Sequence, residues 1–209
     1  MVRSPPDPFR PQSETLDPGD FVYRVHTNTR TSAEFNPGPG RRTRFAFFSA
    51  TAAAGAPTVP VLYGGSSADV AVCETLLHDI PLTGGRLVPR DYREKVMSRL
   101  SPTRRLVLAR FRGTGLRAVG AEASDISDTE ADAYERTVRW AIAAHDNGYD
   151  GCVWTSRRCN DGAAYVLFGD RVARGDLTQD DGFGRAFALP EDIGWLRDFC
   201  SPLGVAVTA

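Results

Sequence analysis

A strand-like segment that runs directly into an apolar helix-like segment, residues 59–81, constrains the fold more than any other part of the chain. Its first part, "VPVLYG", is rich in the β-branched and aromatic residues typical of a strand. In the second part, "ADVAVCETLLHDIP", apolar residues recur at helical spacing and also occupy the opposite side. We therefore predict a buried helix, with Ser66 or Ser67 as its N-cap and Asp69 in its first turn.

Glu74 lies inside this apolar run, so we expect it to be at least partly buried. Taking an ion out of water costs roughly several kcal/mol unless it is paired. The fold must therefore supply an arginine or backbone donors, a raised pKa, or a pocket where a ligand meets the acid. The residues of the segment leave these alternatives open.

Composition and charge favour one globular domain with extensions. The 209 residues are 42% hydrophobic and 24% charged, and the net charge of −1 gives no overall attraction to nucleic acid or anionic membranes. We expect a cytoplasmic protein, since the N-terminus has no signal-peptide core and no stretch approaches a membrane span. The four cysteines form no CxxC pair, and with three histidines they show no zinc spacing. They predict reduced thiols and no metal site.

The order of predicted elements indicates an α+β fold. Prolines make residues 1–20 an extended arm. Strands are predicted at 21–26, 44–49, 59–64, 104–111, 150–156 and 163–170, and helices at 68–81, 129–148 and 191–200. "GTGLRAVG" is interpreted as a turn, and the Gly- and Asp-rich residues after Arg174 as a connector. Because strands and helices do not alternate regularly, a doubly wound sheet is disfavoured.

Three polar residues within apolar elements are the candidates for chemistry: Arg24 in "VYRVH", Glu74, and Ser156 at the end of "CVWTS". No phosphate-binding glycine motif and no GxSxG motif accompanies them. Each residue alone also has a structural interpretation: an edge arginine, a paired acid and a turn cap.

Taken together, these residues and their surroundings resemble the RES domain, a family named for its Arg, Glu and Ser. The resemblance runs from about Phe21 to Arg171. "FVYRVH" resembles the opening strand, and "TRF" and "VPVLYGGSSADVAVCETLLHDIP" resemble the Arg-Phe, Leu-Tyr and Ala-x-x-Glu segments. "YERTVRWAIAAHDNGYDGCVWTSRRCNDGAAYVLFGDR" resembles the closing helix and the Asp-Gly, Ser-Arg and Leu-Phe segments.

The resemblance implies a single domain similar to the ADP-ribosyltransferases, with mixed or antiparallel sheets, flanking helices and an NAD-binding cleft. It divides the chain into an arm (1–20), a RES domain (21–173) and a C-terminal extension (174–209). It further implies a toxin that consumes NAD as substrate, without another cofactor, and a separate Xre-type helix-turn-helix antitoxin. The extension packs on the core or belongs to an interface, so a homodimer is left open.

The same resemblance gives the residues their roles. Arg24 and Arg44 suit the phosphates of NAD, since a guanidinium offers a planar fork of donors. Glu74 suits the ribose, where a carboxylate stabilises developing positive charge. Tyr63 is expected to stack on nicotinamide or ribose, or else to pack in the core. The remaining assignments are Ser156, which orients Glu74 or ribose, and two further substrate-binding residues, Arg157 and Tyr23.

The acceptor of ADP-ribose stays open. Water gives hydrolysis, phosphate gives phosphorolysis, and a protein side chain gives modification of that protein. Degradation of free NAD is favoured over protein ADP-ribosylation, and a relative that binds a nucleotide or partner without catalysis is a further alternative.

Overall fold

The computed structural model describes residues 3–38, 40–51, 53 and 55–208, and within them eight strands form one mixed sheet. The strands are β1 (Ser13–Leu16), β2 (Val22–Thr27), β3 (Val61–Gly65), β4 (Arg86–Leu87), β5 (Lys95–Pro102), β6 (Leu106–Phe111), β7 (Gly151–Thr155), β8 (Ala163–Phe168), β9 (Leu177–Ala186) and β10 (Ala206–Val207). The sheet order is β1-β6-β7-β8-β3-β2-β5-β9, and β4 pairs separately with β10. In the large sheet β6 and β7 are parallel, and the other neighbours are antiparallel.

Helices flank this sheet. They are α1 (Ala68–Thr75), α2 (Pro89–Tyr92), α3 (Thr114–Ala118), α4 (Ala123–Ile126), α5 (Tyr134–Asp146) and α6 (Pro190–Cys200), and single 3₁₀ turns lie at Ala131–Ala133, Arg174–Asp176 and Ser201–Leu203. The predicted α+β class, with one domain of mixed sheet and flanking helices, is confirmed.

The sheet curls around an apolar cluster to which both of its edges contribute. Leu16 of β1 and Leu177 of β9 lie in the same cluster as Leu62 and Leu100 from the central strands. Two further clusters fill the other spaces. One joins α5 to the aromatic side chains of β6 and β7, and the other packs α1 and α6 against β2 and β5.

The helix that carries Glu74 begins as predicted. Ser67 is its N-cap, and the Ser67 hydroxyl accepts a 3.2 Å hydrogen bond from the backbone N–H of Val70. α1 follows β3 very closely, because a Cβ at Gly65 would lie 2.6 Å from Val70 Cγ1. A Cβ at Gly162 would lie 2.2 Å from Val70 Cγ2, so the loop before β8 also packs against this turn. Glycine at both positions brings the β7–β8 loop next to the Glu74 helix.

Two predictions about local structure in the N-terminal half of the chain are wrong. Residues 44–49 form no strand; they make only isolated bridges, Thr43 with Ala46 and Ser49 with Thr58. Their aromatic side chains instead fill the core, where Phe45 and Phe48 are buried. The first 20 residues are also not simply an extended arm, because β1 pairs with β6 in the sheet.

Two more predictions are wrong further along the chain. "GTGLRAVG" contains the short helix α3 rather than only a turn. The connector after Arg174 is largely β9, which is held in the sheet by its pairing with β5, a strand that was not predicted. Beyond β9, Phe187 and Leu196 are buried in the cluster around α1, so the C-terminal segment packs on the core.

Two kinds of feature are absent from the described residues. None of the helices there has the length and apolar character needed to cross a membrane. In the same part of the chain, no three His, Cys, Asp or Glu side chains are grouped so as to hold a metal ion.

Candidate active site

A cleft of about 420 Å³ opens beside the central strands, between β2, β3, α1 and the loop at residues 41–44. This volume lies within the range of small-molecule sites. Five of the seven predicted site residues line it: Tyr23, Arg24, Arg44, Tyr63 and Glu74.

Glu74 and Ser156 meet at the wall of this cleft. The Ser156 hydroxyl donates a 2.6 Å hydrogen bond to Glu74 Oε1, although 82 residues separate the two. Ser156 is fully buried, and its Oγ in turn accepts a 3.1 Å hydrogen bond from the backbone N–H of Cys159. Both contacts of the hydroxyl are fixed, so Ser156 holds one carboxylate oxygen of Glu74 in place.

Glu74 is partly buried, as expected, but it is not the partner of an arginine. Among the residues that the structure describes, no arginine or lysine nitrogen lies within 4.0 Å of its carboxylate. The structural interpretation of Glu74 as an acid paired with an arginine is therefore wrong. Its second oxygen, Oε2, faces no hydrogen-bond donor from the described residues.

Arg24 lies in β2 and is buried at the cleft wall. Its Nη1 donates to the backbone carbonyl of Ser32. Burial lowers the pKa of Arg24 to about 10; the nearby charge of Arg30 lowers it further, and that of Glu34 opposes the change. In the part of the chain that the structure describes, no carboxylate lies within 4.0 Å of Arg24. Burial of a cation without such a partner is costly, so an anionic ligand at Arg24 would recover part of that cost.

Arg44 is buried on another side of the cleft, 6% exposed. Its Nη1 donates to the carbonyls of Ile126 (3.0 Å) and Thr129 (3.3 Å) and to the Thr129 hydroxyl. Its guanidinium carbon lies 5.3 Å from the centre of the Tyr134 ring. Burial lowers the pKa of Arg44, and the negative charges of Tyr134, if ionised, and of Glu74 oppose this. In both arginines the hydrogen bonds to described residues come from Nη1, which leaves Nε and Nη2 for a ligand.

Tyr63 is held through its hydroxyl rather than left free to move. The hydroxyl lies 2.8 Å from Thr43 Oγ1 and accepts a 3.2 Å hydrogen bond from the backbone N–H of Phe45. Burial raises the pKa of Tyr63, so the phenol stays protonated. The ring also packs edge-on against Trp154. Tyr63 packs against the core and also lines the cleft; its stacking on nicotinamide or ribose stays a prediction.

The side chains of the two remaining predicted site residues, Arg157 and Tyr23, contact other parts of the protein. Arg157 lies outside the main cleft and lines a small cavity of about 40 Å³ on another side of Glu74. Its guanidinium pairs with Asp128 (2.7 Å) and Glu130 (2.6 Å). The Tyr23 hydroxyl accepts from Arg99, 3.3 Å away, and its ring packs against Phe183, so the side chain points away from Arg24. This agrees with strand alternation.

The sequence reasoning missed a pair that lines both cavities, His78 and Tyr134. His78 Nε2 lies 3.1 Å from the Tyr134 hydroxyl, and His78 Nδ1 lies 2.7 Å from Asp79. Because α1 ends at Thr75, His78 lies beyond the helix, and no local sequence pattern indicated its contact with Tyr134, 56 residues away. His26 also lines the cleft; burial, followed by the charge of Arg24, lowers the pKa of His26 and favours the neutral ring.

Comparisons with known proteins place the chain in a family. The family model described as "RES domain" matches residues 21–187, which extends past 173 to include β9. No curated protein sequence matches the chain.

The fold is shared with solved structures. One of them is a chain of the M. tuberculosis MbcT–MbcA toxin–antitoxin complex, which is 17% identical, with a TM-score of 0.51 and 84% of each chain covered. The family match spans most of the chain and contains all seven predicted site residues. This chain therefore belongs to the RES domain family.

Proposed function

We propose that this protein is a toxin that consumes NAD by cleaving the bond between nicotinamide and ribose. The observation that carries the proposal is the 2.6 Å hydrogen bond from Ser156 to Glu74 at the wall of the cleft. It orients a carboxylate that has no arginine or lysine partner among the described residues and has one oxygen available to a ligand. Arg24 and Arg44 line the same cleft and supply the positive charge that a dinucleotide requires.

Cleavage breaks the bond between the ribose C1 carbon and the pyridinium nitrogen. The bonding electrons leave with nicotinamide, which becomes neutral, and positive charge develops on the ribose. In this site Glu74 stabilises that charge, and its free oxygen accepts a hydrogen bond from a ribose hydroxyl. Ser156 holds the carboxylate in position, and Arg24 and Arg44 bind the pyrophosphate.

The acceptor then forms a bond to C1. With water the product is ADP-ribose, and a proton is released; with phosphate the product is ADP-ribose 1-phosphate. We place the activity on free NAD, with hydrolysis and phosphorolysis as the two routes. Transfer to a protein side chain and binding without catalysis are the alternatives that the experiment must separate.

A separate antitoxin chain is part of the proposal. The solved structure with the same fold comes from a complex described as toxin–antitoxin, which supports a partner for this chain as well. We propose a small helix-turn-helix protein of the Xre type that holds the toxin inactive in the cytoplasm. Expression of this chain alone should lower cellular NAD and arrest growth, and co-expression of such a protein from an adjacent reading frame should relieve both effects.

The test of the activity is incubation of the purified protein with NAD. We expect release of nicotinamide, and faster release on addition of phosphate if phosphorolysis is the route. Phosphorus NMR of the products identifies the acceptor, and a labelled target protein would instead indicate transfer to protein. Folded protein that binds NAD but yields neither nicotinamide nor a labelled target would contradict the proposal in favour of binding alone.

A further inference from the structure

One short segment contacts two arginines, Arg44 and Arg157, that line the small cavity together with Glu74. This segment, which we call the strap, is residues 126–130, from the last residue of α4 to the turn that precedes α5. Its Ile126 and Thr129 carbonyls accept hydrogen bonds from Arg44, as described above. The Thr129 carbonyl also accepts a 3.4 Å hydrogen bond from Nη1 of Arg157. The strap therefore holds the arginine of the main cleft and the arginine of the small cavity together.

The strap also contacts all three guanidinium nitrogens of Arg157. Nε lies 2.7 Å from Asp128, Nη2 lies 2.6 Å from Glu130, and Nη1 donates to the Thr129 carbonyl. All three nitrogens are thus engaged by three consecutive residues. The edge of the guanidinium formed by Nε and Nη2 already has two carboxylate partners, so an external anion that approaches this edge competes with Asp128 and Glu130.

The small cavity is the place where such a ligand would bind. It is lined by Arg44, Arg157 and Arg158, with Glu74 at one wall and Glu130 at another. Its volume of about 40 Å³ is close to that of a single water molecule. A phosphate-type group therefore enters only when the Glu130 side chain leaves.

Moving the Glu130 carboxylate away from Arg157 costs little free energy. Its side chain is 73% exposed and that of Asp128 is 57% exposed, whereas that of Arg157 is only 30% exposed. The carboxylates are mostly hydrated and move into water, and the arginine remains at the cavity. Exposed ion pairs of this kind contribute little, so exchange with an incoming anion is close to balanced.

We propose that the small cavity is a subsite for the oxygens of a phosphate-type anion, and that the Glu130 carboxylate occupies it until such an anion binds. Glu130, assisted by Asp128, thereby sets how tightly the site holds anions. That the anion belongs to NAD or its acceptor rests on the proposed function; the subsite itself does not.

The test measures pyrophosphate binding by calorimetry at low ionic strength, where surface charges are least screened. Three proteins are compared: the unchanged chain, Glu130→Gln, and the control Asp132→Asn. Asp132 is exposed and lies two residues from Glu130, so the control makes the same change in net charge. We expect Glu130→Gln to tighten the dissociation constant by about two- to fivefold, the scale of losing one exposed competitor, and Asp132→Asn to leave it unchanged.

Three results would overturn the inference: no pyrophosphate binding to any of the proteins, equal tightening by both variants, or weaker binding by Glu130→Gln. The last would indicate that Glu130 only anchors the strap, and thermal melts on the same samples would then show a lower melting temperature. Nicotinamide release tests the proposed function separately. If Glu130→Gln tightens pyrophosphate binding but the protein does not cleave NAD, the subsite is supported and the proposed activity is rejected. If the protein cleaves NAD but Glu130→Gln does not tighten pyrophosphate binding, the activity is supported and the subsite is rejected.

Discussion

Replacing Glu74 with Gln keeps the shape of the side chain and removes its charge. The amide oxygen still accepts the hydrogen bond from Ser156, which is 2.6 Å in the unchanged chain. What is lost is the negative charge next to the ribose in the transition state. Loss of one well-placed electrostatic group lowers a rate by about 100- to 1,000-fold, so nicotinamide release should fall by that factor.

Stability should change little. A hydrogen bond to a charged group is worth about 1.5–3 kcal/mol and an ordinary one about 0.5–1.5 kcal/mol, so the variant loses roughly 1 kcal/mol at that contact. Removing a partly buried charge offsets some of this loss. For a chain of this size, about 1 kcal/mol corresponds to a melting temperature lower by about 2–4 °C.

The two properties should be measured on one sample of Glu74→Gln, by thermal melting and by nicotinamide release. If Glu74 were half of a structural ion pair, its neutralisation would cost about 3–5 kcal/mol, or a drop of roughly 6–20 °C. A drop of that size, with turnover retained in the folded fraction, would refute the reasoning.

Three other predictions test parts of the structure. Ser156→Ala should lower turnover by about 10- to 100-fold, because Glu74 loses its positioning contact; unchanged turnover would deny Ser156 that role. Burial raises the pKa of the Cys73 thiol to about 11 and that of Cys159 to about 12. Thiolate is therefore scarce at pH 8, and a thiol reagent should react slowly with native protein and rapidly after unfolding; fast labelling of native protein would contradict this. A Cβ at Gly151 would lie 2.1 Å from the Val166 carbonyl oxygen. Gly151→Ala should destabilise the fold by about 1–3 kcal/mol or more, whereas the control Gly175→Ala, with open space around it, should change stability by less than about 0.5 kcal/mol; similar melting temperatures would be inconsistent with the packing of β7 on β8.

Local sequence patterns predicted those helices and strands that are specified by their own residues. The apolar periodicity of α1 and α5 and the β-branched residues of β2, β3, β7 and β8 indicated these elements. β5 was missed because Lys95 and Arg99 interrupt its alternation, and β9 because its Gly and Asp residues are typical of a connector. β5 forms by pairing with β2 and β9, and β9 forms by pairing with β5; local propensity does not contain this tertiary pairing. The aromatic residues at 44–49 predicted a strand, but this segment pairs with no strand and its aromatic side chains pack in the core.

In the candidate site, too, the features set by local sequence were predictable and those set by tertiary packing were not. The apolar run around Glu74 indicated a partly buried acid, and that expectation is confirmed. The sequence around Glu74 could not identify the hydrogen-bond partner of its carboxylate, because Ser156 lies 82 residues away and the two residues meet only through tertiary packing. The strap that holds Arg44 and Arg157 lies in a polar stretch between two helices, where no periodic pattern marks a function.

The most direct test of the account is the structure of the Glu74→Gln variant with NAD bound, since the slowed cleavage should preserve the substrate. We expect the nicotinamide ribose to lie within about 3.2 Å, hydrogen-bonding distance, of the side chain at position 74. The pyrophosphate should contact Arg24 and Arg44. NAD bound in this cleft with its nicotinamide ribose away from position 74, or bound elsewhere on the protein, would contradict the assignment of Glu74 as the catalytic carboxylate.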